Sequence, residues 1–163
     1  MKFTLYDNGE IIGESNVVMI DGVKVIESIA PVILQMKEHA KKDGVELTLA
    51  AGLRTWDEQM VLRKKNVKDK SKANDTAYLT TAPASAFNPF TAKPGYSNHH
   101  DGTAYDFNVT GKPQSYSWLV KNAAKFGMVR TVPSERWHWE YRPKEKNFFA
   151  YVPKKDKSWD GLI

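Results

Sequence analysis

Residues 94–106 read Pro94-Gly95-Tyr96-Ser97-Asn98-His99-His100-Asp101-Gly102-Thr103-Ala104-Tyr105-Asp106. Within them Ser97, His99, Gly102, Ala104 and Asp106 fall in the order S-x-H-x-x-G-x-A-x-D. His99 and Asp106 are good ligands for a first-row metal. Of the four histidines in the chain, one lies downstream of this stretch: His138, in Glu135-Arg136-Trp137-His138. Two imidazoles and one carboxylate make a three-donor set. It leaves a fourth position open for water, as catalytic rather than structural zinc requires. Either motif alone is weak, since E-x-W-H can equally be an aromatic core strand carrying one satisfied histidine. The two in this order, with Arg54 upstream, point to a metal site.

Working outward, Gly102 to Val109 reads as a strand with Ala104 and Asp106 on one face and Tyr105 and Phe107 on the other. Gly102 suits close backbone approach beside a ligand. His100 is expected not to ligate, because the residue after a ligand in extended chain points away. Trp137 to Tyr141 is the last strand, with Trp137, Trp139 and Tyr141 on one face and His138 and Glu140 on the other. Placing it beside the first strand brings His138 to the metal. Glu135 cannot share the His138 face by parity, so it must project from the turn around Ser134, where it is the natural general base. Upstream, Val45 to Ala51 alternates as a strand. Thr55 and Glu58 form a capping box that starts a helix running to about Lys65. Arg54 therefore sits between a strand end and a helix N-terminus. It is either a surface arginine or a fixed cation at the mouth of a site, able to bind a carboxylate or an oxyanion.

The rest of the chain frames this centre. Residues 1–26 read as β-hairpins around Asp7-Asn8-Gly9 and Asp21-Gly22. A helix follows from about Ser28 to Asp43, with Pro31 in its first turn and Gly44 just beyond its end. His39 on that helix is expected to be a partly exposed surface residue. Residues 63–96 show little periodicity and carry a basic run of Arg63, Lys64, Lys65, Lys68, Lys70 and Lys72. They read as one long loop bordering the site. Ser115 or Ser117 should cap a helix that Gly127 ends, and Met128 to Thr131 is a short strand. Phe148, Phe149, Tyr151 and Trp159 should anchor the Lys-rich tail.

Composition bounds the partners. The 163 residues suit one domain with a real core, and they include no cysteine, so any metal must be held by His, Asp or Glu. The formal charge of +5 favours an anionic partner: nucleic acid, a membrane surface or an anionic cell-wall surface. No nucleic-acid motif accompanies the charge, so nucleic-acid binding is not expected. Polar residues from Asp7 to Glu10 interrupt any leader, and no apolar run reaches the roughly 18 residues of a membrane span. The expectation is a monomer without a signal peptide. Synthesis in the cytoplasm is expected, with either action there or delivery outside by a phage, lysis or injection route.

The 94–106 run followed by Glu135-Arg136-Trp137-His138 resembles the VanY-type D-alanyl-D-alanine carboxypeptidases. These share one zinc fold with VanX-type dipeptidases, phage L-alanyl-D-glutamate endolysins and the hedgehog domain. Gly52-Leu53-Arg54 with Gln59 is similar to the family's G-x-R-x-x-x-x-Q segment. The resemblance covers roughly residues 26–142. It implies an α+β fold, a small antiparallel sheet with helices packed on one side, preceded here by an N-terminal β-hairpin extension. The division expected is 1–26 extension, 27–142 zinc peptidase domain and 143–163 basic tail on the same domain. The resemblance further implies Zn2+ held by His99, Asp106 and His138. Glu135 becomes the catalytic base, Arg54 the oxyanion or carbonyl partner, and Ser97 and Gln59 join Arg54 in substrate binding. The substrate implied is the peptidoglycan stem peptide, cut at D-Ala-D-Ala. E-x-W-H favours this branch over an endolysin-like L-alanyl-D-glutamate endopeptidase, which more often has D-x-x-H. A non-catalytic zinc-bearing wall-binding module is the other alternative, and Glu135 argues against it.

Overall fold

In this computed structural model, residues 1–144 are described. They open with a three-stranded antiparallel sheet, β1 (Lys2–Asp7), β2 (Glu10–Ile20) and β3 (Val23–Ile26), in the order β1-β2-β3. The two connecting turns place Asn8-Gly9 and Asp21-Gly22 at positive φ. Two consecutive left-handed residues twist a tight turn the way paired strands twist, which is why Asn-Gly and Asp-Gly close hairpins. Ile20, Val25 and Ile26 at the end of this sheet are buried in the same core as the helices that follow.

Helix α1 (Ala30–Lys42) buries Ile33, Met36 and Ala40 at helical spacing. Pro31 lies in its first turn, and Gly44 takes up a left-handed conformation just past its end. His39 is exposed and lies edge-on to Phe126. The expected strand over Val45–Ala51 shrinks to β4 (Leu49–Ala51). Leu47 and Leu49 are buried while Glu46 and Ala50 are exposed, so the alternation holds. The ladder is shorter because pairing with the next strand spans only Leu49 to Ala51.

The second sheet carries the motifs. Its order is β4-β5-β7-β6, all antiparallel, with β5 Ala104–Phe107, β6 Met128–Arg130 and β7 His138–Tyr141. Tyr105, Phe107 and Trp139 are fully buried and pack with α1 and with α4 (Pro113–Asn122). Helix α4 starts earlier than Ser115: Pro113 occupies its first turn, where a fixed φ and a missing N–H cost nothing, and Ser115 is buried inside the helix. Gly127, at φ 83°, ends the helical run as expected.

Residues 63–96 are not one irregular loop. Helix α2 (Trp56–Asn66) leads into a segment with its own short helix, α3 (Thr76–Thr81), and a small core of Val67, Leu79, Ala82 and Phe87. Arg63, read above as part of the basic run of that loop, is fully buried. It donates to the carbonyls of Leu79 and Ala82 at 2.8 Å, Thr91 at 2.9 Å and Ala92 at 2.9 Å, and its guanidinium lies over the Phe87 ring. Periodicity could not reveal this segment, because one cation rather than an apolar stripe organises it. The expected tail anchors Phe148, Phe149, Tyr151 and Trp159 lie outside the described residues.

Candidate metal centre

Antiparallel pairing sets Asp106 of β5 directly opposite His138 of β7. Directly paired residues project to the same face of a sheet, so the two side chains meet: Asp106 Oδ1 lies 3.1 Å from His138 Nδ1. His99 comes from the loop before β5, and its Nε2 is 3.4 Å from the same Oδ1. Each of the three residues offers one donor atom, and these atoms all lie within 4.8 Å of one another. A tetrahedral cation with bonds of about 2.0–2.1 Å separates its donors by about 3.4 Å. Asp106 keeps close to that spacing from both imidazoles, and the donor types, two nitrogens and one oxygen, suit such an ion.

Each histidine is aimed by its far nitrogen. His99 Nδ1 is 2.9 Å from the Gly52 carbonyl, which can only accept, so Nδ1 carries the hydrogen and Nε2 faces the centre. The Ser97 hydroxyl accepts from the His99 backbone N–H and tightens the turn that presents the ring. His138 is reversed: Nδ1 faces the centre, and Nε2 lies 2.9 Å from Glu140 Oε2. Burial alone would push His138 down, but its hydrogen bonds to the Asp106 and Glu140 carboxylates lift it to about 9. Burial would raise Asp106, yet the bonds to His138 and His99 hold it well below the ordinary carboxylate range. A bound cation supplies the same positive charge in place of that proton.

Glu135 stands in a turn closed by Glu135 N–H to Val132 O and by His138 N–H to Glu135 O. That turn brings Glu135 Oε2 to 3.6 Å from His138 Nδ1 with the carboxylate partly open to solvent. Arg54 lies between β4 and α2, and its backbone is locked to the motif. Its N–H donates to His99 O, and its carbonyl accepts from His100 Nδ1 at 2.7 Å. His100 therefore faces away from the centre and registers Arg54 against His99. Burial holds Arg54 below its usual value, opposed by Asp106, Glu58 and Glu135. Gln59 is buried, donates to Ala92 O at 2.8 Å and accepts from Arg54 at 3.4 Å. A cavity of about 410 Å3 opens over the group, with Arg54, Gln59, Ser97, His99, Asp106, Glu135 and His138 all on its lining. Residues Pro89 to Ala92 line it as well.

One sequence reading changes and one feature went unread. Gly102 does not face a ligand: at φ 81° a Cβ there would lie 2.6 Å from the Ile26 side chain, so this glycine lets β3 pack against the motif. Tyr105 reinforces that contact, accepting from Ile26 N–H and donating to Gly102 O. Glu140 was placed on the right strand face without a role. The parity that put it beside His138 was the available signal.

His99, Asp106 and His138 can together hold a metal ion, with Glu135 and Arg54 on the lining of the same open pocket. Residues 22–144 match the family model of D-alanyl-D-alanine carboxypeptidase, VanY, and the chain belongs to that family. It is 28% identical over 135 residues to a D-alanyl-D-alanine carboxypeptidase of Enterococcus faecalis, covering 74% of this chain and 49% of that protein. The chain spans about half the length of the curated relatives it matches. Among solved structures, VanYB in complex with D-alanine-D-alanine superposes with a TM-score of 0.64 at 26% identity, covering 91% of this chain and 88% of that one. A variant of the vancomycin resistance D,D-pentapeptidase VanY in complex with Zn(II) superposes with a TM-score of 0.63, again at 26% identity, covering 91% and 89%. No described helix is long and apolar enough to cross a membrane.

Proposed function

We propose that this protein is a zinc-dependent peptidoglycan peptidase that removes the terminal D-alanine from stem peptides ending in D-Ala-D-Ala. The convergence of His99, Asp106 and His138 beneath Glu135 and Arg54 carries the reading. The zinc and the dipeptide held by the two related structures support it. In this reading His99 Nε2, an Asp106 oxygen and His138 Nδ1 hold the ion. When bound, zinc supplies a Lewis acid that polarises a carbonyl and makes water acidic near neutral pH.

The chain's own groups do the rest. Glu135 takes a proton from the attacking water and returns it to the leaving amine, a role its open carboxylate beside His138 suits. Arg54, held by two backbone hydrogen bonds, meets the oxygen on which negative charge develops. Gln59, already bonded to Ala92 and Arg54, acts mainly by steadying that guanidinium, and Ser97 by presenting His99. The substrate's chain lies along the cavity between the sheet and residues 89–92. Residues 1–26 are an extension seated on the 27–142 peptidase domain. The basic run from Lys64 to Lys72 is a candidate contact for the anionic wall.

Replacing Glu135 by Gln tests the mechanism. The side chain keeps its shape and is not needed as a ligand, so zinc content and folding are retained. Turnover on D-Ala-D-Ala peptides falls by a factor on the order of 100 to 10,000. Parent-like turnover with zinc retained would remove Glu135 from the mechanism.

A further inference from the structure

The two histidines of the centre are aimed by acceptors of different kinds. His99 is held by a backbone carbonyl, that of Gly52, which no side-chain change removes. His138 is held by the carboxylate of Glu140, two residues along the same strand and on the same face. Glu140 is almost fully buried, and nothing in the mechanism above uses it. Its strand partner on β5 is Ala104, whose methyl leaves the carboxylate room beside the ring.

Glu140 is itself held from two further sides. Oε2 accepts from the Thr131 hydroxyl as well as from His138, and Oε1 accepts from Arg142 Nη2 at 2.8 Å. A buried carboxylate is costly unless its oxygens are bonded. Here three donors satisfy it, and one of them is the far nitrogen of a proposed ligand. A carboxylate that accepts from the outer N–H of a ligating histidine fixes which nitrogen faces the metal and makes that nitrogen a better donor.

Resting on the zinc reading of the site, we infer that Glu140 is the positioning residue of the metal centre. It accepts the Nε2 proton of His138, fixes Nδ1 as the nitrogen offered to the ion, and is itself fixed by Thr131 and Arg142. The centre then contains two histidines in opposite tautomers, one set by the backbone and one by a side chain. Only the second can be altered by mutation without touching a ligand.

The full chain labelled with 15N at histidine and loaded with zinc gives the test. Long-range proton–nitrogen spectra place the ring proton of His99 on Nδ1 and that of His138 on Nε2. In Glu140→Leu, zinc affinity measured by competition with a chromophoric chelator falls by about 10- to 100-fold. The His138 pattern shifts while that of His99 stays. Glu140→Gln keeps an oxygen acceptor, so it retains the His138 tautomer and loses affinity by a smaller factor. Should the leucine variant fail to fold, the wild-type spectrum and the glutamine variant decide. A zinc-loaded wild type with the His138 proton on Nδ1 overturns the inference, and so does unchanged zinc affinity in Glu140→Gln. Wild type that binds no zinc refutes the metal reading itself; wild type that binds zinc with no sensitivity at position 140 refutes this inference alone.

Discussion

The pocket has two walls held in opposite ways. The sheet wall carries Asp106 and His138 on strands whose reverse face, Tyr105, Phe107 and Trp139, is fully buried in the main core. The facing wall, residues 89–92, hangs on Arg63, which ties the end of α3 and the wall itself to α2 through four carbonyls. Hydrophobic burial is non-directional and adds up over many contacts, so the sheet wall resists local change. A single guanidinium is directional, and its loss strands several acceptors at once. Two of the three proposed ligands, Asp106 and His138, thus stand on the part of the pocket that tolerates little movement, and residues 89–92 are the part expected to open locally.

Two substitutions separate the two designs, and a third, outside both, sets the scale of a surface contact. The largest effect on stability belongs to Trp139→Ala. It empties a large buried volume and breaks the indole bond to Arg136 O. A loss of about 3–5 kcal/mol in global unfolding free energy by denaturant titration is expected. A loss under about 1 kcal/mol would mean the sheet is not braced from behind.

Arg63→Met comes next. It keeps the aliphatic stem but leaves the Leu79, Ala82 and Thr91 carbonyls without their donor, and Ala92 with Gln59 alone. Each buried acceptor left bare costs about 1–3 kcal/mol, so the segment relieves the cost by opening. Amide exchange between residues 67 and 92 accelerates by about 10- to 100-fold while β5 and β7 are unchanged, and KM rises more than kcat falls. Arg63→Lys fails to restore protection, because one ammonium cannot span four carbonyls in a fixed fork. Equal acceleration in residues 67–92 and in β5 and β7 would erase the contrast between the walls.

The smallest effect lies outside both walls, at Asp21. Burial would raise its carboxyl, but Lys37 and the Leu49 N–H outweigh this and hold it below its ordinary value. Its folded pKa is therefore below its unfolded one. The stabilisation is full above about pH 4 and is lost as pH falls through the folded value. Asn also tolerates the left-handed turn. Asp21→Asn should thus cost under about 1 kcal/mol at pH 7 and nothing once the carboxylate is protonated. Thermal melts of both proteins from pH 2 to pH 7 check this, and parallel curves would contradict it.

What the sequence disclosed follows from the same contrast. The hairpin turns at Asn8-Gly9 and Asp21-Gly22, the Pro31 start of α1 and the Thr55 cap of α2 are local, and each was legible from a few residues. Strand parity placed Asp106 on one face and Tyr105 on the other, and it separated His138 from Trp139. Arg63 was misread because a lysine run follows it and nothing local distinguishes a buried guanidinium from an exposed one. Gly102 was misread because its neighbour Ile26 is distant in sequence. Glu140 had the correct face but no role, since its partner Thr131 becomes a neighbour only when β6 pairs with β7, and nothing local marks Arg142, two residues on, as bonded to it. Long-range polar contacts carry no periodic signal.

The central claim is that the His99–Asp106–His138 centre serves cleavage of a terminal D-alanine. Mass spectrometry of purified muropeptides bearing pentapeptide stems, incubated with the protein and zinc, tests it most directly. The account predicts loss of one D-alanine residue from the stem, abolished by chelator and restored by zinc. Stems left intact with zinc bound, or cut between L-Ala and D-Glu instead, would contradict it.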